Sequence, residues 1–468
     1  MRRSDKSKLI LIFFVTVGVT LLIGTVCLLV VYGVQSSVRR SGRITYETVS
    51  APEAGDGKKK ADDSKKKAAG GRVTESLDDL PDAGKIPVSP VSGSDADKEA
   101  AAIEEEAAEE IDTSANSYIH SGVVKRFGDD LDNPEYLAAN KIYVMESRDD
   151  DPECASLTFA GDILFDDEYS VMSKLIKNGG EINAGIDISL INKMKSSDIM
   201  MVNNEFPYSY GGTPTEGKTY TFRADPPTVR YITDMGANAV GIANNHAFDF
   251  GETAFMDTLT TLEEAGIPYT GGGRNIEEAS APLYFVVDDV KIGIIAATQI
   301  ERLDHPDTRG ATDTLSGVFR CLNPDRLLAR IGEMRSKCDF LVVFIHWGTE
   351  STTEIDWIQQ DQAPKIAQAG ADIIVGAHPH VLQPIGTSHG VPVIYSLGNF
   401  WFNSKTLDTG MIRMDVTSEG MKDLQFIPCK QEGGKTHMCA GEERDRILSD
   451  MRAMSPGVNI DGEGYITY

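Results

Sequence analysis

Cysteine pairs with metal-binding or redox spacing are missing from this chain. Its six cysteines stand at Cys27, Cys154, Cys321, Cys338, Cys429 and Cys439, and none forms Cys-x-x-Cys. A zinc ribbon and a thioredoxin-like motif are thereby unsupported. Cys27 lies in an apolar run and the other five cannot all pair. One or two disulfides, with Cys321–Cys338 and Cys429–Cys439 nearest in sequence, stand open against reduced buried thiols. Positive charge is short as well. The formal net charge is −26, which argues against nucleic acid as a partner, because phosphate neutralisation needs a basic face. Divalent cations and cationic surfaces suit such a chain better. No internal repeat is visible. Histidine is scarce, with eight in 468 residues, so the places where they fall carry weight.

What is present is otherwise ordinary. Hydrophobic residues make up 41% and charged residues 25%, as in globular proteins, and the length suits a large core plus extras. Residues 9–34 are apolar apart from threonine and glycine and carry no charge. That run exceeds the roughly 20 residues a bilayer span requires. It is also too long for the apolar region of a cleavable signal peptide, about 7–15 residues. Arg2, Arg3, Lys6 and Lys8 precede it. The reading is a cytoplasmic basic tail (1–8), then a transmembrane signal anchor (9–34), with a single pass through the cell membrane and an extracellular remainder. Residues 35–117 hold two triple-lysine blocks, an acidic run and almost no aromatics. Such a segment cannot bury enough apolar surface to offset its ordering entropy and reads as a disordered tether. Residues 118–154 are transitional.

From Ala155 apolar runs alternate with amphipathic ones. Strands are expected at 157–161, 199–203, 239–243, 340–346 and 372–378. Helices are expected at 186–196, 226–236, 253–266, 323–338 and 356–370. Runs 283–287 and 291–297 form a hairpin, and 411–416 and 423–428 are closing strands. This is mixed α/β with a sheet that is not wholly parallel. The domain runs over 155–430, with a C-terminal extension at 431–468.

Strand after strand ends in a group with ligand or proton chemistry: Asp162, then Asn204-Glu205, then Asn245-His246, then His346, then His378-Pro379-His380. One such ending means little, and 239–251 alone reads equally well as an asparagine-rich turn. Five in order imply strand tips converging on one polar site. Histidine with carboxylate suits one or two divalent ions of the Mn, Fe or Zn type. In an extended segment His378 and His380 share a face. His120, His305, His389 and His437 lack such a context and read as surface or loop residues.

These motifs, FAGDIL (159–164), VNNEF (202–206), ANNHAFDFG (243–251), IHWGTE (345–350), GAHPHVLQP (376–384) and YSLGNF (395–400), together resemble the CapA, or poly-γ-glutamate capsule synthesis, branch of the calcineurin-like metallophosphoesterases. The resemblance covers about 155–428. It implies a metallophosphatase sandwich of two mixed β-sheets flanked by helices. It further implies that Asp162, Glu205 and His380 hold one metal and Asn245, His346 and His378 the other, with Glu205 bridging. His246 would be the general acid. Asp249 would orient it, or else cap the following helix. Arg223, in YTFRADP, and Asn244 are the candidates for substrate contact. Three positions depart from the wider superfamily: Leu164 stands where a histidine is usual, Asn204-Glu205 where Gly-Asp is usual, and Ala247 where an acid often follows. The implied work is metal-dependent hydrolysis of a phosphoester or surface-polymer linkage. The alternative is a non-catalytic accessory role beside polymer synthase or export subunits.

Overall fold

The computed structural model describes residues 131, 133–148, 153–300 and 308–468. The expected basic tail, signal anchor and tether lie outside the described residues. Among those described, no helix is long and apolar enough to cross a membrane.

Two mixed sheets face each other. The first has seven strands in the order Ile142–Met145, Leu283–Val287, Val290–Thr298, Phe340–His346, Ile373–Ala377, Val391–Ile394 and Ile385–Ser388. Its centre is parallel, and antiparallel pairs occur at 283–287 with 290–298 and at 385–388 with 391–394. The second runs Lys435–Met438, Gly420–Glu432, Leu407–Thr417, Ala155–Ile163, Ile199–Asn204, Ala239–Gly241 and Tyr269–Thr270, with Asn399–Trp401 paired beside 155–163. The central strands are buried along their whole length because both faces are covered. All nine residues of Ala155–Ile163 are buried, as are all seven of Phe340–His346.

One core lies between the sheets, where Leu157, Phe159 and Met201 meet Ile294, Val342 and Phe344. The Phe159 and Phe344 rings sit 5.8 Å apart. Two further cores lie under the helices on the outer faces. The best-marked helix is Trp357–Ala369, with a capping box between Asp356 and Gln359 and left-handed Gly370 after its end. The expected helix at 226–236 is instead a 3-10 turn, Pro226–Val229, followed by a short helix, Arg230–Asp234. Residues 133–148 and 431–468 join the sandwich: Ile142–Met145 pairs with Leu283–Val287, and Lys435–Met438 forms the edge of the second sheet. All five described cysteines are free thiols, so of the two alternatives open for them the structure has the reduced one.

Close approach at the strand tips leaves no room for side chains. A Cβ on Gly161 would sit 1.8 Å from the carbonyl oxygen of Gly398. Gly161→Ala is therefore expected to lower unfolding free energy by about 1–3 kcal/mol. Gly332, inside the helix Asp325–Arg335, has open space around it, and Gly332→Ala is expected to add about 0.5–1 kcal/mol. Urea denaturation of the two variants checks both signs.

Candidate metal centre

The carboxyl ends of the central strands of both sheets meet at one place. Asp162 closes the strand Ala155–Ile163, and Glu205 follows Ile199–Asn204. Asn245 and His246 lie just past Ala239–Gly241. His346 ends Phe340–His346, and His378 follows Ile373–Ala377. Two groups of donors form, each with its ligand atoms within 4.8 Å of one another: Glu205 with His346 and His378, and Asp162 with Glu205 and His380. Glu205 is common to both. Asn245 joins the first group through its Oδ1, 2.9 Å from His346 Nε2.

The His-x-His segment is not extended. His378 and His380 have φ of 98° and 60°, left-handed values that carry strain in a side chain of this kind. The curl brings both residues onto Asp162. The His378 amide donates to Asp162 Oδ2 at 3.4 Å, and His380 Nδ1 lies 3.3 Å from the same oxygen.

The electrostatics of this cluster fit a divalent ion. Glu205 Oε1 is buried and has no hydrogen-bond partner. The Nε2 atoms of His346, His246 and His380 stand 3.7, 3.9 and 4.0 Å from it. Burial, aided by the neighbouring Asp162, lifts the Glu205 carboxyl well above the usual range. Burial and adjacent imidazoles hold His346 and His378 well below theirs, so both rings are in the neutral, ligating form. At His380 burial also opposes protonation, but the Asp162 carboxylate outweighs it and the ring is shifted upward. An orphaned buried carboxylate oxygen ringed by imidazole nitrogens is a ligand arrangement that a cation completes.

His246 stands at the edge of the cluster. Its Nδ1 is 2.6 Å from Asp249 Oδ2, and its ring lies against Phe222 with centroids 4.1 Å apart. Burial pulls its pKa down against the opposing pull of Asp249. Asp249 also accepts from the Phe222 amide at 2.7 Å and from Lys218 Nζ at 2.6 Å. The helix Gly251–Glu264 begins at Phe250 with no side-chain cap, and the Asp249 carboxylate is instead engaged by His246, Phe222 and Lys218. His246 and His380 open on a pocket of about 130 Å³ walled by Phe222, Phe402, Glu350 and Lys405.

Two expected substrate contacts are not brought to this pocket. The Arg223 guanidinium lies over the Phe250 ring and donates to the Gly211 carbonyl. Asn244 is fully buried; it donates to Asn203 Oδ1 and the Asn204 carbonyl and accepts from the His246 amide. Its amide fixes the loop from behind. Leu164 is buried in the outer core.

Two residues were not expected. Asn203 donates through Nδ2 to Asp162 at 2.7 Å and Glu205 at 3.2 Å, and the same nitrogen is 3.2 Å from His346 Nδ1. Strand alternation carried a signal for it, since residues two apart share a face and Glu205 marks that face. Lys218 reaches Asp249 and the Asn245 carbonyl from a polar loop with no periodicity, and nothing local marks it.

Two mixed sheets with outer helices, and strand tips that gather aspartate, glutamate, asparagine and histidine, define a protein of the metallophosphoesterase-like class. Within it, the chain belongs to the bacterial capsule synthesis protein PGA_cap family, whose pattern matches residues 156–404. It is 29% identical over 269 residues to the capsule biosynthesis protein CapA of Bacillus anthracis, covering 55% of this chain and 64% of that one. It is also 29% identical over 239 residues to the PGA biosynthesis protein CapA of Bacillus subtilis (strain 168), covering 50% and 62%. A probable polyglutamine synthesis accessory protein of Mycobacterium tuberculosis is 25% identical over 210 residues, covering 44% and 55%. The chain thus spans less than two thirds of the length of each of these relatives.

Lys218 and Asp249 are 7% and 0% exposed at their side chains. Lys218→Met leaves a buried carboxylate short of its cation, and the expected loss is about 3–5 kcal/mol. Denaturant titration measures it.

Proposed function

We propose that this domain is a metal-dependent hydrolase of phosphoesterase type serving synthesis of an anionic cell-surface polymer such as poly-γ-glutamate. The observation that carries the reading is the buried, unpartnered Glu205 Oε1 inside a ring of imidazoles. Asp162, Glu205 and His380 would hold one ion, and Asn245, His346 and His378 a second, with Glu205 between. Bound there, Mn, Fe or Zn would supply positive charge to the phosphoryl oxygens and acidify a water.

The chain's own residues do the rest. Asp249 accepts a short hydrogen bond from His246 Nδ1 and, against the burial that disfavours it, supports the imidazolium form, in which Nε2 carries a proton as well. That Nε2 faces the pocket beside the ligand cluster, where it can donate to a leaving oxygen. Lys218 holds Asp249 and the Asn245 main chain together, so ligand and acid keep a fixed spacing. Phe222 and Phe402 wall the pocket and keep water from His246.

The polymer setting rests on the family and on the names of the Bacillus relatives. Membrane attachment through residues 9–34, an extracellular domain, and contact with synthase or export subunits complete the proposal. An accessory, non-catalytic role is favoured by one feature: Leu164 offers no donor where the wider superfamily has a histidine.

Elemental analysis of the purified full chain is expected to find Mn, Fe or Zn ions, one or two of which are lost in His378→Ala. A metal content equal in the wild-type chain and in His378→Ala sinks the reading. His246→Ala is expected to cut hydrolysis of an aryl phosphodiester by about 10²–10⁴-fold with metal content unchanged. Equal turnover in the variant removes His246 as the acid. Protease shaving of intact cells should remove the domain if it lies outside.

A further inference from the structure

Far along the chain from these motifs, the C-terminal segment carries another set of donors. His437 lies on the strand Lys435–Met438, at the edge of the second sheet, and of the two readings for it, surface or loop, it is a surface residue. Cys439 follows two residues on, and Glu443 sits in the first turn of the helix Gly441–Met454. In extended backbone His437 and Cys439 share a face. The Cys439 amide is tied to the Pro428 carbonyl at 2.9 Å, which extends the pairing of that edge past Met438. His437 Nε2 is 3.2 Å from Glu443 Oε2, and the imidazole nitrogen, thiol sulfur and carboxylate oxygen all lie within 4.8 Å of one another. Donors around a tetrahedral zinc ion, at bond lengths near 2.0–2.3 Å, stand about 3.5 Å apart. Small side-chain rotations therefore bring the three atoms to bonding positions.

We propose that His437, Cys439 and Glu443 form a separate site for a zinc-class ion that clips the C-terminal helix to the sheet edge. Thiolate, imidazole and carboxylate together are a zinc donor set, whereas the strand-tip centre contains no sulfur. The side chain of Glu443 is preset for the role: Lys430 Nζ holds its Oε1 at 2.6 Å and leaves Oε2 toward His437. Ligating carboxylates are commonly held this way by an outer partner. Cys439 is 5% exposed, and His437 and Glu443 are about one-third exposed at their side chains, so the sulfur is shielded while the other two donors reach solvent. Binding transfers the thiol proton to solvent and forms the metal–sulfur bond, with no redox step. The ammonium of Lys430 opposes the ion's charge, so Lys430→Gln, which keeps a donor to Oε1 without the charge, should tighten binding.

Cobalt separates this site from the other, because only a cobalt–thiolate bond gives an intense near-ultraviolet charge-transfer band. The full-length chain loaded with cobalt should show that band, and zinc should abolish it by displacement. The band should persist when the strand-tip centre is disabled by His378→Ala. It should vanish in Cys439→Ser, weaken at least tenfold in apparent affinity in His437→Ala, and form at lower cobalt in Lys430→Gln. No band in the wild-type chain at saturating cobalt overturns the proposal. So does a band that survives Cys439→Ser. The wild-type measurement stands without any variant, and the strand-tip centre can fail its own tests without touching this one.

Discussion

A carboxylate buried without a counter-charge is the condition around which this fold is arranged. Glu205 is fully buried, and its free oxygen faces imidazole nitrogens rather than hydrogen-bond donors. Burying such a charge alone is strongly unfavourable, and a second carboxylate, Asp162, stands beside it. The fold tolerates the pair through Asn203, whose single amide nitrogen donates to both. Burial also pushes His346 and His378 well below the usual imidazole range, which favours the neutral rings that coordinate a cation. Strain is accepted at the same place. His378 and His380 both adopt left-handed backbone, which costs about 1–3 kcal/mol each and is held in place by Asp162 and Asn399. Acidity, desolvation and strain thus come together in the space around Glu205.

Much of this was legible in the chain because strand tips are easy to read. An apolar run that stops at Asp162, Asn245 or His346 announces both the strand and its polar end, and order along the chain then does the grouping. Asp162 and His380 gather on one side of Glu205, and His346 and His378 on the other. What was hidden falls into two kinds. Asn203 and Lys218 act through long-range contacts that no local pattern encodes, although alternation along 199–204 pointed at Asn203. The left-handed curl at His378 and His380 was hidden because His-Pro-His reads as extended, and only the packing of that segment over Asp162 turns it.

The ends of the domain show the same limit. Ile142–Met145 is a four-residue edge strand in a stretch rich in charge, and its place is set by pairing with Leu283–Val287, about 140 residues away. Arg223 looked like a substrate contact because a lone arginine in a loop has no visible partner in one dimension. In three dimensions it has Phe250 and the Gly211 carbonyl.

The ligand set is divided between the two sheets. Asp162, Glu205 and Asn245 belong to one, and His346, His378 and His380 to the other. Neither sheet alone carries a complete centre. An ion held there would bridge the sandwich like a rivet, and its retention would gauge sliding of one sheet over the other. In folding, the donors of the two sheets can meet only after both sheets have formed and docked, so capture of an ion there would follow docking and could not be its nucleus.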